Sequence, residues 1–349
     1  MEIPPEARPG GPTAARLRSG GALSQRDLGI DMESDKPGFV NGRPGAEREA
    51  HATLIIPQHA TGQVDTRQWW QKLTRDILLD LAIMAILIAI TASLEAAEPR
   101  KVFFVKETLW RHSYPFKENS VPSWVVPVYS FGAPLLAFTA HKLFVKASNR
   151  AMTWYDWYRV SLAMVNAVLL TASLTNCIKI AIGRPRPNFV FRCWADGNPI
   201  WQHGGNQYGG FAECTTPDNM DYEHRKSFPS GHSSWSAAGL GFFTFWLFGQ
   251  TQAFSGYPHV WRISFSLVPA FAALVVGITR ITDYWHHVSD VCFGLALGYF
   301  ISFVFYNQLF PWFTNQDCCM PLTHGRYAGP AFRGGNGRRP SRDAPPSVS

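Results

Sequence analysis

The chain alternates long apolar blocks with polar stretches, and the block lengths decide how it can be built. A helix rises about 1.5 Å per residue, so about 20 apolar residues cross the hydrocarbon core of a bilayer. Ile77 to Leu94 meets that length with Asp80 as its only charge, and Tyr158 to Ile182 is long and continuous. Ser233 to Gly249, Ile263 to Thr279 and Val288 to Phe310 follow. Val121 to Ala140 is interrupted by Pro122, Pro127 and Pro134, which membrane helices tolerate when neighbours re-satisfy the freed backbone groups. The pattern predicts an all-α membrane protein with six transmembrane helices. Helices apolar all round belong in membranes or very large interiors, which argues against a soluble helical core.

Composition changes this picture only at the ends. The mean hydropathy of −0.08 is that of an ordinary soluble protein, but it averages the blocks with polar termini. Residues 1–66 and 313–349 are rich in Gly, Pro, Ser and Arg with little apolar periodicity, and such segments bury too little surface to offset their ordering entropy. They are expected to be disordered tails around a six-span domain over 67–312. The first apolar run begins near Ile77, after a long polar leader, so it reads as a first span acting as its own address and not as a cleaved signal.

The net charge of +7 and pI near 9.1 raise the question of nucleic acid. The arginines lie in the tails or beside apolar spans and form no basic helical face, so no nucleic-acid partner is expected. The six cysteines lack CxxC or zinc-type spacing. With six crossings, the loop at 183–232, the spans 5–6 turn and the spans 1–2 loop share one face. Both tails and the loops at 141–157 and 250–262 share the other. Arg67, Lys72, Arg75, Lys142, Lys146, Arg150, Arg262 and Arg326 lie near that second face, which the positive-inside tendency makes cytosolic. The first face is then lumenal or extracellular. Cys193 and Cys214 both lie in its long loop, where the compartment permits a disulfide that would staple a Gly-rich excursion. Cys318 and Cys319, just past the last span, are a candidate palmitoylation site on the opposite side, with two ordinary thiols as the alternative.

Three polar clusters arrive at the first face. Lys179 ends span 3 and is followed by Arg186-Pro187; Pro229-Ser230-Gly231-His232 opens span 4; Arg280 to Asp290 joins spans 5 and 6. Ionisable groups beside lipid-buried helix are costly and mark a functional site by default. For any single one an interfacial anchor or structural ion pair is the simpler reading, and the joint pattern reverses that balance. The order Lys-x6-Arg-Pro, Pro-Ser-Gly-His, Arg-x5-His-x3-Asp resembles the three-part signature of the type 2 phosphatidic acid phosphatase (PAP2) superfamily, most closely its integral-membrane lipid phosphate phosphatases. The resemblance covers roughly residues 70 to 310. It departs at Thr279, where the family usually has Ser, although a hydroxyl is kept.

Phosphoryl transfer needs positive donors around the non-bridging oxygens, because charge spreads over them in the transition state. Lys179, Arg186 and Arg280 supply that charge, the arginines as planar forks and the lysine as a compact ammonium. Backbone amides at Ser230 and Gly231, at the start of a helix, can add donors. If helical, His286 and Asp290 share a face at i,i+4, and the carboxylate can then hold one imidazole N–H and free the other nitrogen. The residues alone permit either histidine as nucleophile. The resemblance implies that His286 forms a phosphohistidine, that His232 is general acid and then base, and that Asp290 orients His286. It further implies a helical core of the PAP2 and haloperoxidase type, a phospholipid substrate in the bilayer, and hydrolysis of phosphatidate-like monoesters and of pyrophosphate-linked lipids such as diacylglycerol pyrophosphate. No cofactor and no metal are expected; adjacent helical residues point about 100° apart, so His286 and His287 do not make a chelating pair. Arg184-Pro185 duplicates the Arg-Pro dipeptide off the motif spacing, and Asp283 and Tyr284 have no assigned role. Alternatives on the same scaffold are a phosphotransferase and a catalytically silent lipid scramblase or scaffold.

Overall fold

The computed structural model describes residues 66–145, 151–216, 221–254, 256 and 259–322, with side chains from residue 74. Of the tails expected at 1–66 and 313–349, residues 1–65 and 323–349 lie outside the described residues. Six long helices carry the fold: α1 (Thr66–Ala96), α2 (Val125–Phe144), α3 (Trp154–Ile182), α6 (Gly231–Thr251), α7 (Val260–Thr282) and α8 (Val288–Leu309). The connections hold two short helices, α4 (Phe189–Cys193) and α5 (Asp221–His224), and an antiparallel ribbon of β1 (Phe103–Val105) with β2 (Gly209–Phe211).

By length and composition four of these helices can cross a membrane: α1 from Thr74, α3, α7 and α8. The pattern of apolar blocks predicted six, and the shortfall at α6 has a physical origin. This helix packs on α8, α7, α3 and α2, and it is built from Ser, Ala and Gly because small residues let helix backbones approach closely. Its low hydropathy reflects helix neighbours in place of lipid. Opposite Ser230 and Ser234 of α6, Gly294 and Gly298 of α8 leave no room for a Cβ against the two carbonyl oxygens. That close contact fixes the register in which Asp290 arrives, with its carbonyl accepting from the Ser230 amide at 3.0 Å.

Local signals set the helix ends that matter. Thr153 caps α3 through a reciprocal box with Asp156, and the helix stops at Gly183, whose φ of 62° is left-handed. A side chain there would collide with the Arg100 carbonyl. Ser230 caps α6, Asp283 ends α7 and His287 begins α8. Lys179, His232, Arg280 and Asp290 therefore stand at one end of the bundle. The main apolar core gathers toward the other, around Val160, Met164, Phe242, Trp246, Tyr306 and Phe310.

Residues 313–322, expected to start the C-terminal tail, are part of the fold. Residues 313–322 fold back on α6 and α8: Phe313 packs against the core, Gln250 donates to the Cys319 carbonyl at 2.7 Å and Leu322 to the Leu309 carbonyl at 2.8 Å. Cys318 and Cys319 are buried here, which removes them as exposed acylation sites. At the opposite end, Cys193 and Cys214 are disulfide-bonded with Cα atoms 4.4 Å apart. The bridge sits in a small cluster of Phe104, Phe189, Val190, Trp194 and Ala212 that ties the ribbon to α4.

Candidate active site

A cavity of about 500 Å³ opens where the three motif segments meet, and Lys179, Arg186, Gly231, His232, Arg280 and His286 all line it. Ser230 and Asp290 stand behind its wall, both fully buried. The same cavity continues along Ile88 and Ala92 of α1, Val126 and Pro127 of α2, and Leu169 of α3. One end is thus cationic and the other aliphatic.

His286 is oriented by backbone more closely than by carboxylate. Its Nδ1 lies 2.6 Å from the Ser227 carbonyl and 3.8 Å from Asp290 Oδ2. A carbonyl only accepts, so Nδ1 carries the proton and the Nε2 lone pair is left unprotonated. Burial pushes the His286 pKa down to about 4; Asp290 opposes that shift, and Arg186 and Lys179 reinforce it. The ring is neutral at neutral pH and holds a nucleophilic nitrogen.

Asp290 acts one step further back. Its Oδ2 accepts from Ser227 Oγ at 2.6 Å and from the His287 amide at 3.0 Å, so it holds the residue whose carbonyl holds His286. Its Oδ1 accepts from Arg184 Nη1 at 2.6 Å. Arg184, set aside by the motif spacing, is the cationic partner of the buried carboxylate.

The three cations differ in how far the protein already uses them. Arg186 donates from Nε to the Glu223 carbonyl at 2.7 Å and from Nη2 to Glu223 Oε2 at 3.0 Å, with its plane 4.8 Å over Trp285. Burial raises the Glu223 pKa, but Arg186, Lys179 and Lys226 outweigh it and hold the carboxyl below its usual range. Arg280 is fully buried and donates to Thr279 Oγ1 at 3.2 and 3.0 Å. It also donates to Asn119 Oδ1 at 2.8 Å and Asp283 Oδ2 at 3.0 Å. Lys179 Nζ has no hydrogen-bond partner among the described residues and lies against Gly231, where a Cβ would come within 3.2 Å of it. It is the ammonium most available to an incoming anion.

Ser230 departs from its expected use. Its amide is committed to the Asp290 carbonyl and its hydroxyl caps α6 by accepting from the Ser233 amide at 3.4 Å. Among the described residues, the amides at this helix start without a hydrogen-bond partner are those of Gly231 and His232, so anion donors of the kind the N-terminus offers shift one residue on. His232 turns Nε2 to the Val121 carbonyl at 3.1 Å, which fixes a proton on that nitrogen.

Comparison with known proteins agrees with the three motifs. The PAP2 superfamily model matches residues 160–313. The chain is 39% identical over 234 residues to "Lipid phosphate phosphatase 1" of Arabidopsis thaliana, covering 66% of this chain and 68% of that one. It is 34% identical to "Lipid phosphate phosphatase 2" of the same plant over 73% of this chain and 85% of the relative. The chain belongs to the PAP2 superfamily. "Diacylglycerol pyrophosphate phosphatase 1" of Saccharomyces cerevisiae is a more distant member, 31% identical over 67% of this chain and 80% of its own length. No solved structure matches.

Several groups around the PAP2 motifs were not legible as site residues. Asn119, Ser120 and Val121 come from the loop before α2: Ser120 donates to Asp283 from amide and hydroxyl, both at 2.8 Å, and Lys117 is 3.3 Å from the same carboxylate. Burial alone raises the Asp283 pKa, and these donors with Arg280 bring it below its usual value. Asp283 follows Arg280 at i+3, a signal the sequence did carry. Tyr284 sits at φ 58°, a strained position for a non-glycine residue, and stacks on Tyr114 at 4.9 Å. The loop residues have neither periodicity nor motif, and only tertiary structure brings them in.

Proposed function

We propose that this PAP2 protein is a lipid phosphate phosphatase that hydrolyses phosphatidate-like monoesters through a phosphohistidine and without a metal ion. One observation carries the reading: the cations and both histidines of three distant segments line a single cavity whose opposite wall is aliphatic. A lipid phosphate has that polarity. In this reading Lys179, Arg186 and Arg280, with the amides of Gly231 and His232, surround the non-bridging oxygens. His286 Nε2 attacks phosphorus, the P–N bond forms as the ester P–O bond breaks, and the leaving alkoxide takes a proton from His232. The Val121 carbonyl holds the Nε2 proton of that ring, so the proton given to the alkoxide is the Nδ1 proton of His232 in its imidazolium form, and the ring is left neutral. Water then attacks the phosphohistidine, giving its proton back to His232 and releasing inorganic phosphate. Three protein cations supply the charge a divalent ion would otherwise provide.

The names of the relatives support phosphatidate-type and pyrophosphate-linked lipids as substrates. With α2 and α6 counted, the helices make six crossings, both tails are cytosolic, and the site faces the lumen or exterior. The disulfide between Cys193 and Cys214 fits that placement, since such bonds persist in oxidising compartments. The test is phosphate release from phosphatidate in detergent with EDTA present. Wild-type turnover is expected to survive EDTA and to be lost in His286→Ala. Activity that persists in the variant removes the nucleophile assignment, and abolition by EDTA removes the metal-free one.

A further inference from the structure

The cationic cradle contains a carboxylate that phosphate binding does not need. Glu95, in the last turn of α1, lines the same cavity as Lys179 and His286. Its position is set from two sides: Asn176 Nδ2 donates to Glu95 Oε2 at 2.7 Å, and Lys226 Nζ donates to the Glu95 carbonyl at 2.6 Å. Asn176 is itself buried and also reaches the Thr91 carbonyl at 3.4 Å. Among the described residues nothing donates to Glu95 Oε1. A carboxylate oxygen accepts, so Oε1 of this exposed side chain is open to a donor brought into the cavity, whereas the other carboxylate lining it, Glu223, is already paired with Arg186 and Lys226.

The order of groups along the cavity matches the order of groups in a lipid. Asn176 precedes Lys179 by one helical turn on the same face of α3, a spacing of roughly 5 Å. A lipid whose phosphate sits at Lys179 would then turn the carbon next to its ester-bearing carbon toward the part of the cavity that Asn176 and Glu95 line. Beyond it, α1 offers Thr91, Ala92 and Ile88, and α3 offers Leu169, a run that turns aliphatic where the chain must begin.

We infer that Glu95, held by Asn176, is a specificity-determining residue that reads a hydrogen-bond donor beside the phosphate, a hydroxyl or an ammonium, and so favours lysophosphatidate-like or sphingoid-base phosphates over diacyl phosphatidate. This rests on the lipid phosphatase reading above. A diacyl headgroup presents ester oxygens there, acceptor against acceptor, and leaves Glu95 Oε1 without a donor while Asn176 keeps Oε2. A free hydroxyl donates to it, and an ammonium adds charge. Sites built to bond a substrate donor discriminate strongly against analogues that lack it, because the protein group is left unpaired.

The experiment measures kcat/KM for phosphatidate, lysophosphatidate and a sphingoid-base phosphate at equal surface concentration in mixed micelles. The full-length protein is compared with Glu95→Ala and Glu95→Gln. Each result is expressed as a ratio to phosphatidate in the same preparation, which cancels losses from imperfect folding. In Glu95→Ala both ratios are expected to fall at least about tenfold. In Glu95→Gln, which keeps an acceptor but no charge, the ammonium ratio falls by that factor while the hydroxyl ratio stays within about threefold if the reader is the hydroxyl acceptor. Equal ratios in wild type and both variants overturn the inference and leave the phosphatase reading standing. Absence of phosphate release from all three lipids by the wild type overturns the phosphatase reading, and the inference falls with it.

Discussion

Replacing Arg184 by Ala tests whether the support behind His286 matters to turnover. Arg184 touches no reacting atom in the proposed mechanism; it holds Asp290, which holds Ser227, whose carbonyl orients the ring. Its guanidinium is 34% exposed, whereas Asp290 is fully buried. Breaking a fully buried ion pair costs about 3–5 kcal/mol, and an exposed pair is worth about 0–1 kcal/mol. Water can reach the vacated Arg184 side, while Asp290 keeps Ser227 and the His287 amide, so an intermediate value of roughly 1.5–3 kcal/mol is expected, that of a charge-assisted hydrogen bond. If that energy serves orientation, kcat falls by roughly 10- to 150-fold. KM moves little, because Lys179, Arg186 and Arg280 are intact. Arg184→Lys, which keeps the charge but not the fork, should recover part of the loss. The assay is steady-state phosphate release from phosphatidate in mixed micelles, with thermal unfolding in the same detergent as a control. A variant that keeps wild-type kcat would refute the chain of support, and so would a loss confined to KM.

Two further outcomes follow from groups outside the spans. Cys193 and Cys214 close a loop across 21 residues of sequence, for which the chain-entropy model gives roughly 3 kcal/mol; the double Cys→Ala variant, or reduction of the native protein, should lower the unfolding midpoint, and an unchanged midpoint after complete reduction counts against a structural role. Burial lowers the pKa of His286 and His112 to about 4 and of His224 to about 3, against about 6.5 in the unfolded chain. Above 6.5 both states are neutral at these sites, and as pH falls from 6.5 toward 4 the unfolded chain takes up protons that the folded one refuses, so thermal stability should decline across that window. His286→Gln should make the decline shallower, and an identical slope in that variant would contradict the burial of a neutral ring.

The spans of α1, α3, α7 and α8 and the cavity-lining motif residues were legible because each carries a local signature: apolar length, or an ionisable group where lipid makes it costly. The failures also have local causes. The core helix α6 has its hydropathy lowered by the glycines and serines that let α8 approach. Phe313 and Met320 are too few to give a periodic pattern, yet they dock residues that composition assigns to a tail. Asp290 was read through its i,i+4 spacing to His286, but the carbonyl of Ser227, from another segment, is closer. Spacing along one helix is blind to partners that arrive from elsewhere, and the same blindness set Arg184 aside.

The loop before α2 has a consequence for how transferable this chemistry is. Residues 160–313 match the superfamily and contain all three motifs, yet Arg280 is held by Asn119 and His232 by Val121. The motifs are therefore not a cassette. A graft cut at the matched boundaries would carry both histidines and all three cations into a host while leaving behind the groups that aim Arg280 and fix the proton of His232. The smallest portable unit of this protein must begin upstream of Lys117, so a swap between relatives that exchanges only the helical core tests two half-sites against each other.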